Sequence, residues 1–243
     1  MSDGTDAGRE WTVLLWGDTQ VGKTTLVTTA LYARQEGRLA DLVDRGRSAA
    51  ALTSTLLPHW RRLSKCLWVQ PTGQDFIDIP LVTKSGNALR LRDVRGGLSR
   101  QLEEPAVLGE LTARPPDAYL FLVEWGTRDL NNQMLAVSGA LDVCGDRPRG
   151  LVFTKCERTF AEGDRAWRGA TGWWRGEPGL AAYEPLLASF GDAVWPCSAY
   201  GYHARLGQPA LLLGEFGQLM PYEIQPVGVN DPFDWVLDQL GVA

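Results

Sequence analysis

The amino-acid sequence predicts an α/β fold in which a mostly parallel six-stranded sheet, with one antiparallel strand, is covered by helices on both faces. Three observations support this prediction. Short apolar runs alternate along the chain with segments of helical spacing. Two of the runs, 76–83 (FIDIPLVT) and 88–94 (ALRLRDV), are joined by a turn-like KSGN, which indicates an antiparallel hairpin. The first run, 11–16, leads directly into a glycine-rich loop and a helix.

The same patterns predict the order of the elements. The six strands are expected at 11–16, 76–83, 88–94, 117–125, 150–154 and 193–197. Helices are expected at 24–35, 131–144, 181–190 and 231–240, the last with Asp231 as its N-cap.

The chain is predicted to form one domain, 1–243, with two additions. Residues 39–69 are expected to be a helical insertion, which Pro58 would break or kink. Residues 199–243 form an irregular C-terminal extension that closes with the last helix, and 157–179 are expected to be an irregular loop.

Composition and charge exclude several classes of function. The 243 residues carry a net charge of -5 and 44% hydrophobic residues, so neither nucleic acid nor an anionic membrane is expected as the main partner. The four cysteines are scattered singly, which argues against a zinc site or a disulfide framework. No apolar run approaches the roughly 20 residues of a membrane span, and the first ten residues lack an apolar signal core. We therefore expect a cytoplasmic protein without a membrane span.

The segment GDTQVGKTT has the spacing of a phosphate-binding loop. Gly17 and Gly22 would allow several backbone N–H groups to approach phosphate oxygens, and the helix that follows adds its dipole. Lys23 would reach the β- and γ-phosphates, and Thr24 would offer its hydroxyl to Mg²⁺. Thr25 completes the predicted nucleotide-binding set of this loop. We refer to 17–24 as the predicted phosphate loop.

A second motif, DVRG, follows the second strand of the hairpin. Asp93 can hold Mg²⁺ through a water molecule, and Gly96 can offer its backbone N–H to a γ-phosphate and move when that phosphate leaves. A threonine that binds the same metal is expected in the loop before the hairpin, where Thr72 lies. Its rivals, Thr53 and Thr55, lie inside the predicted insertion helix.

Two further motifs each follow a predicted strand: TKCE, beginning at Thr154, and the pair Ser198–Ala199. In this order, the motifs resemble those of the translation-factor and Ras-like GTPases over roughly residues 11–200. The resemblance implies a P-loop NTPase three-layer sandwich that binds GTP or GDP with Mg²⁺. It also implies that Lys155 packs along the guanine base, that the carboxylate of Glu157 bonds its ring N–H and amine, and that the Ser198–Ala199 backbone meets its oxygen.

The resemblance also assigns roles in the reaction. Lys23, Thr72 and Gly96 would be the catalytic residues, and Thr24, Thr72 and Asp93 the metal ligands. A helical insert before a Pro-Thr pair is loosely similar to certain bacterial small GTPases.

The chain departs from the family pattern at two positions. Position 157 is glutamate where the family has aspartate, which moves the carboxylate by about one C–C bond, ~1.5 Å. Such a shift would weaken the discrimination of guanine, because this specificity depends on placed hydrogen bonds. Position 97 is glycine where Ras-like switches place a glutamine that orients water. Arg95 and Arg100 flank that position and could supply charge.

The main hypothesis is therefore a nucleotide-dependent switch that hydrolyses GTP to GDP slowly. Its partner would be an effector or activating protein, another GTPase or a second copy of this chain. Gly97 and Glu157 favour an alternative, a pseudo-GTPase scaffold that holds nucleotide without turnover. A second alternative is an ATP-using P-loop enzyme such as a small-molecule kinase, in which arginines near 158–175 could form the lid.

The tryptophan- and arginine-rich segment 158–179 allows three interpretations. Trp167, Trp173 or Trp174 could cover a base, contact a partner or pack the loop onto the sheet. His59 and His203 have no metal-ligand neighbours in the sequence and are assigned no role.

Overall fold

The computed structural model describes residues 9–32, 37–63, 76–94, 111, 113–158, 172–203 and 224–242. Six residues that the sequence singles out lie outside these ranges: Thr72, Arg95, Gly96, Gly97, Arg100 and Trp167. Their proposed roles stay predictions.

The described strands form an α/β sheet of six strands in the order β2-β3-β1-β4-β5-β6. Only β2 is antiparallel to its neighbour, and all other pairings within this sheet are parallel, as the sequence predicts. The six strands are β1 Glu10–Gly17, β2 Phe76–Val82, β3 Ala88–Val94, β4 Ala118–Glu124, β5 Arg149–Thr154 and β6 Val194–Pro196. A separate antiparallel ribbon joins β7 Ser198–His203 to β8 Ile224–Val227.

Helices alternate with the strands along most of the described chain. Within the described ranges, the α-helices are α1 Lys23–Tyr32, α2 Arg38–Leu42, α3 Ala49–Ala51, α4 Leu57–Leu63, α5 Leu130–Cys144, α6 Glu184–Ala188 and α7 Asp231–Leu240. A π-helical segment, Leu52–Leu56, joins α3 to α4, and 3₁₀ turns span Cys156–Arg158, Trp173–Gly176 and Pro178–Tyr183.

Apolar cores lie on both faces of the sheet. One contains the buried faces of α1 and α7, and the other contains the buried face of α5. Between them, β4 is buried from Ala118 to Val123, which explains why its sequence is a continuous apolar run rather than an alternating one.

The helical insertion runs through Pro58 without a break. Leu57 donates its N–H to the carbonyl of Leu52, five residues earlier, in the π segment that precedes the proline. Proline lacks an N–H and its ring crowds the carbonyl four residues back, and the wider π turn relieves that conflict. The predicted kink is therefore a local change of helix type.

Three sequence expectations need correction. Part of the segment expected to be irregular forms the ribbon β7–β8, in which the backbone of Gly201 packs so closely that a Cβ would lie 1.5 Å from the Gln225 carbonyl oxygen. The helix expected at 181–190 is instead a 3₁₀ turn followed by α6. The N-cap of α7 is Asn230, and Asp231 is the first helical residue.

Among the described residues, no helix combines the length and the apolar character that crossing a bilayer requires.

Gly17 provides a test of the packing between β1 and β4. A Cβ at this position would lie 2.4 Å from the carbonyl oxygen of Leu122. We expect Gly17→Ala to lower the free energy of unfolding by about 1–3 kcal/mol, because backbone atoms must move. Urea denaturation measures this change.

Gly179→Ala is the matched control, because a Cβ at Gly179 would have no non-adjacent neighbour within 4 Å in the part of the chain that the structure describes. We expect its effect to stay within about 0.5 kcal/mol. Equal losses in the two variants would contradict the close approach at Gly17.

Candidate functional site

The candidate site lies along the carboxyl edge of the parallel strands. β1, β3, β4, β5 and β6 run in the same direction, so the segments that follow them meet at one edge of the sheet. β1 lies between β3 and β4, where the order of strands reverses. Such a switch point is the usual position of a ligand in open α/β sheets.

The predicted phosphate loop is held around the side chain of Lys23. Its ammonium donates to the carbonyl oxygens of Gly17 at 2.8 Å and Asp18 at 3.0 Å. An ammonium has three N–H donors, so one remains for a ligand beyond these two described contacts. Burial lowers the pKa of Lys23, while the charges of Asp93 and Asp18 oppose that shift.

The two glycines of the motif have different roles. At Gly17 the close approach of the β4 backbone leaves no room for a Cβ. Gly22 has a φ of +94°, and apart from its chain neighbours no atom of the described residues lies within 4 Å of the place where a Cβ would stand. Its backbone conformation favours glycine, and the open space beside it can admit a ligand close to the start of α1.

Thr24 and Asp93 meet at the end of β3. The Thr24 hydroxyl donates to Oδ2 of Asp93, whose side chain is 2% exposed. Oδ1 of the same carboxylate has no hydrogen-bond partner in the described part of the chain. Burial raises the pKa of Asp93, and the nearby charge of Lys23 and the Thr24 hydrogen bond oppose the shift.

These groups fit a divalent cation. Hydroxyl and carboxylate oxygens are ligands that Mg²⁺ prefers, and a buried carboxylate oxygen without a partner is stabilised by a cation. The described residues contain no cluster of three or more His, Cys, Asp or Glu side chains that could hold a metal by themselves. Thr24 and Asp93 would therefore share the ion with phosphate and water, as Mg²⁺ in nucleotide sites commonly requires.

Thr154 connects the TKCE motif to the predicted phosphate loop. Its hydroxyl donates to the Val21 carbonyl at 2.6 Å, with a second, longer contact of 3.3 Å to the Val123 carbonyl. A hydroxyl has one proton to donate, so Thr154 acts here as a bridge between segments rather than as a donor to a ligand.

Lys155 pairs with Glu124, a residue that the sequence reasoning missed. The Lys155 ammonium lies 2.5 Å from Oε2 of Glu124, at the end of β4, and both side chains are mostly buried. The sequence did offer one signal for Glu124, because it is the polar residue that ends the apolar run of β4. The ion pair fixes the lysine at the edge where a base is expected.

The two described non-glycine residues with positive φ both lie at this edge of the sheet. Gln20 has a φ of 64° and Lys155 a φ of 58°. Each such conformation costs of order 1–3 kcal/mol and concentrates at binding sites.

Glu157 and Ser198 are brought to the same part of the edge. The N–H of Cys156 donates to the Cys197 carbonyl at 3.2 Å, which joins the TKCE turn to the residue before Ser198. Glu157 is 3% exposed. Ser198 accepts a hydrogen bond from the Gly201 N–H at 2.7 Å, and Ala199 lies within an irregularity of the β7–β8 pairing.

Trp173 and Trp174 pack into the protein. The Trp173 ring contacts the rings of Trp125 and Phe153, with centroids 5.8 Å and 5.9 Å away. Its N–H donates to the Val194 carbonyl at 2.9 Å. Trp174 is 2% exposed, and the guanidinium of Arg175 lies over its ring. For these two side chains the structure favours packing over covering a base.

His59, which the sequence left without a role, also reaches the site. Its Nε2 lies 3.2 Å from the hydroxyl of Thr25, in the first turn of α1. Burial lowers the pKa of His59 to about 4, and the charge of Arg62 adds to this effect. His59 lies 34 residues after Thr25, and no local sequence pattern predicts a contact between the two.

The chain matches no protein-family model, and no curated protein matches its sequence.

The lowered pKa of His59 predicts how stability depends on pH. The unfolded chain binds a proton between pH 6.5 and about 4 that the folded protein does not, so stability falls as the pH falls through this range. His59→Gln removes this loss and can keep a hydrogen bond to Thr25. Between pH 7.5 and pH 5, we expect the parent to lose about 1 kcal/mol more than the variant, after allowance for solvent screening.

Urea denaturation of both proteins at the two pH values measures the difference between their losses of unfolding free energy. The contributions of titratable groups that both proteins share cancel in this difference. Equal losses would mean that His59 titrates normally in the folded protein.

Proposed function

We propose that this chain is a GTP-binding protein that hydrolyses GTP to GDP slowly and acts as a nucleotide-dependent switch. The observation that carries the proposal is the hydrogen bond from Thr24 to the buried Asp93 beside Lys23. It joins the start of α1 to the end of β3 and leaves one carboxylate oxygen for a cation. The contact among Lys23, Thr24 and Asp93, which the sequence motifs single out, supports the proposal.

Each of these residues would have a distinct task. Lys23 and the N–H groups at the start of α1 would bind the negative phosphates. Thr24 and Asp93 would hold Mg²⁺, the second through a water molecule. When bound, Mg²⁺ neutralises charge on the phosphate oxygens. Thr72 and Gly96, outside the described residues, would contact the metal and the γ-phosphate.

Selection of guanine would fall to the segments after β5 and β6. Glu157 supplies a carboxylate that can accept from the ring N–H and the exocyclic amine, and Lys155 would pack along the base. The backbone at Ser198–Ala199 would meet the base oxygen. The burial of Glu157 and the Cys156–Cys197 backbone hydrogen bond support a shared pocket.

Slow turnover follows from the residue at position 97. A glycine has no side chain with which to orient an attacking water, so the chemical step would depend on a partner or on dimerisation. GTP would order the loops around Thr72 and Gly96, and hydrolysis would release them. The partner would recognise the ordered state.

Competitive binding with fluorescent GTP, GDP and ATP tests the base assignment. We expect a preference for guanine nucleotides, and we expect Glu157→Ala to weaken GDP binding by about tenfold or more, because a hydrogen bond to a charged group is lost. Affinity for ADP should stay unchanged. Lys23→Ala should weaken binding of every nucleotide.

Glu184→Ala, which removes an exposed carboxylate on α6, is the control and should bind as the parent does. Equal affinity of the parent for ATP and GTP would reject the guanine assignment and favour an ATP-using enzyme. Unchanged GDP affinity in Glu157→Ala would remove that residue from the base site.

Single-turnover hydrolysis tests the assignment as a slow GTPase. We expect a rate near or below about 10⁻³ s⁻¹ for the isolated protein, compared with about 1 s⁻¹ or more for assisted GTPases. Chelation of Mg²⁺ should lower this rate, and Asp93→Asn should remove most of the magnesium dependence.

A rate in the assisted range would contradict the role given to Gly97. Bound GTP that is never hydrolysed, alone or with partners, would instead identify a nucleotide-holding scaffold.

A further inference from the structure

The helical insertion, formed by α3, the π segment and α4, packs directly on α1. The rings of Tyr32 and Trp60 stack with centroids 6.0 Å apart, and the Tyr32 hydroxyl donates to the Leu52 carbonyl at 2.9 Å. These contacts hold the far end of α1. At the other end of the helix, His59 contacts Thr25, next to the residue that bonds Asp93.

The chemistry of the Thr25 hydroxyl limits how it can use this contact. A hydroxyl donates one proton and accepts through two lone pairs, whereas a phosphate oxygen only accepts. Thr25 can therefore donate to a phosphate only if His59 does not take its proton. A neutral imidazole with its hydrogen on Nε2 meets this condition, because it donates to the hydroxyl and leaves the Thr25 proton for the ligand.

We propose that His59 is a positioning residue for the nucleotide, whose Nε2–H orients the Thr25 hydroxyl toward the phosphates. The helical insertion thereby becomes part of the phosphate site. This inference depends on the proposed nucleotide-binding function and adds to it a residue from outside the recognised motifs.

The surroundings of His59 support a neutral donor. The imidazole is half-buried, and its lowered pKa keeps the ring uncharged at neutral pH. Packing alone does not require a polar group here, because the Tyr32–Trp60 stack already attaches α4 to α1. Nε2 of His59 and the Thr25 hydroxyl lie 3.2 Å apart in a partly buried position, where a hydrogen bond between them is stabilising. The same hydrogen bond also sets the direction in which the Thr25 hydroxyl donates its own proton.

The test compares four variants by their affinity for GDP and ADP. His59→Leu removes the donor, and we expect nucleotide affinity to fall about tenfold. His59→Gln restores an N–H donor and should recover most of the loss. Thr25→Val should weaken binding by a similar factor, and adding His59→Leu to Thr25→Val should cause little further loss, because both act through one hydroxyl.

Trp60→Leu is the structural control. It removes the ring that stacks on Tyr32, one residue from His59, and should lower thermal stability without changing nucleotide affinity. The positioning role would be overturned if His59→Leu bound nucleotide as the parent does, or if Trp60→Leu lost as much affinity as His59→Leu. It would also be overturned if His59→Gln recovered no affinity, or if the losses in the double variant were additive.

The outcomes separate this inference from the proposed function. If the parent protein and His59→Leu bind GDP equally well, the inference about His59 is rejected and the proposed function is not. A parent that prefers ADP rejects the guanine assignment, and the role of His59 is then decided with ADP. A parent that binds neither nucleotide rejects both.

Discussion

The carboxyl group of Asp93, buried at the end of β3, is the constraint on which the rest of the candidate site depends. Asp93 is almost fully enclosed, and a buried charge is costly unless nearby groups stabilise it. The stabilising groups, Lys23 and Thr24, are the first two residues of α1, directly after the loop that follows β1. They reach Asp93 because β1 and β3 pair in parallel, with Leu15 opposite Asp93, so that both chains leave the sheet at the same edge.

The loop after β1 is held on two sides, which would preorganise it for the phosphates of the proposed nucleotide. Lys23 binds carbonyls within the loop, and the Thr154 hydroxyl binds the Val21 carbonyl from the end of β5. Strained backbone at Gln20 and Lys155 lies beside these contacts. A loop held in this way can present its N–H groups to phosphate with little further ordering, which lowers the entropic cost of binding.

The helical insertion extends the site beyond the sheet. Its π segment accommodates Pro58 and lets a helical run continue along α1. That run brings His59 to Thr25 and Trp60 to Tyr32.

The sequence by itself determined the succession of strands and helices along the chain, the antiparallel hairpin and the loop before α1, because apolar periodicity and turn residues are local signals. It also identified Thr24 and Asp93 as candidates, although not their hydrogen bond. Only the tertiary structure decided the ribbon β7–β8 and the contacts of Glu124 with Lys155 and of His59 with Thr25. These last partners lie 31 and 34 residues apart, and only the packing of strands and helices brings them together.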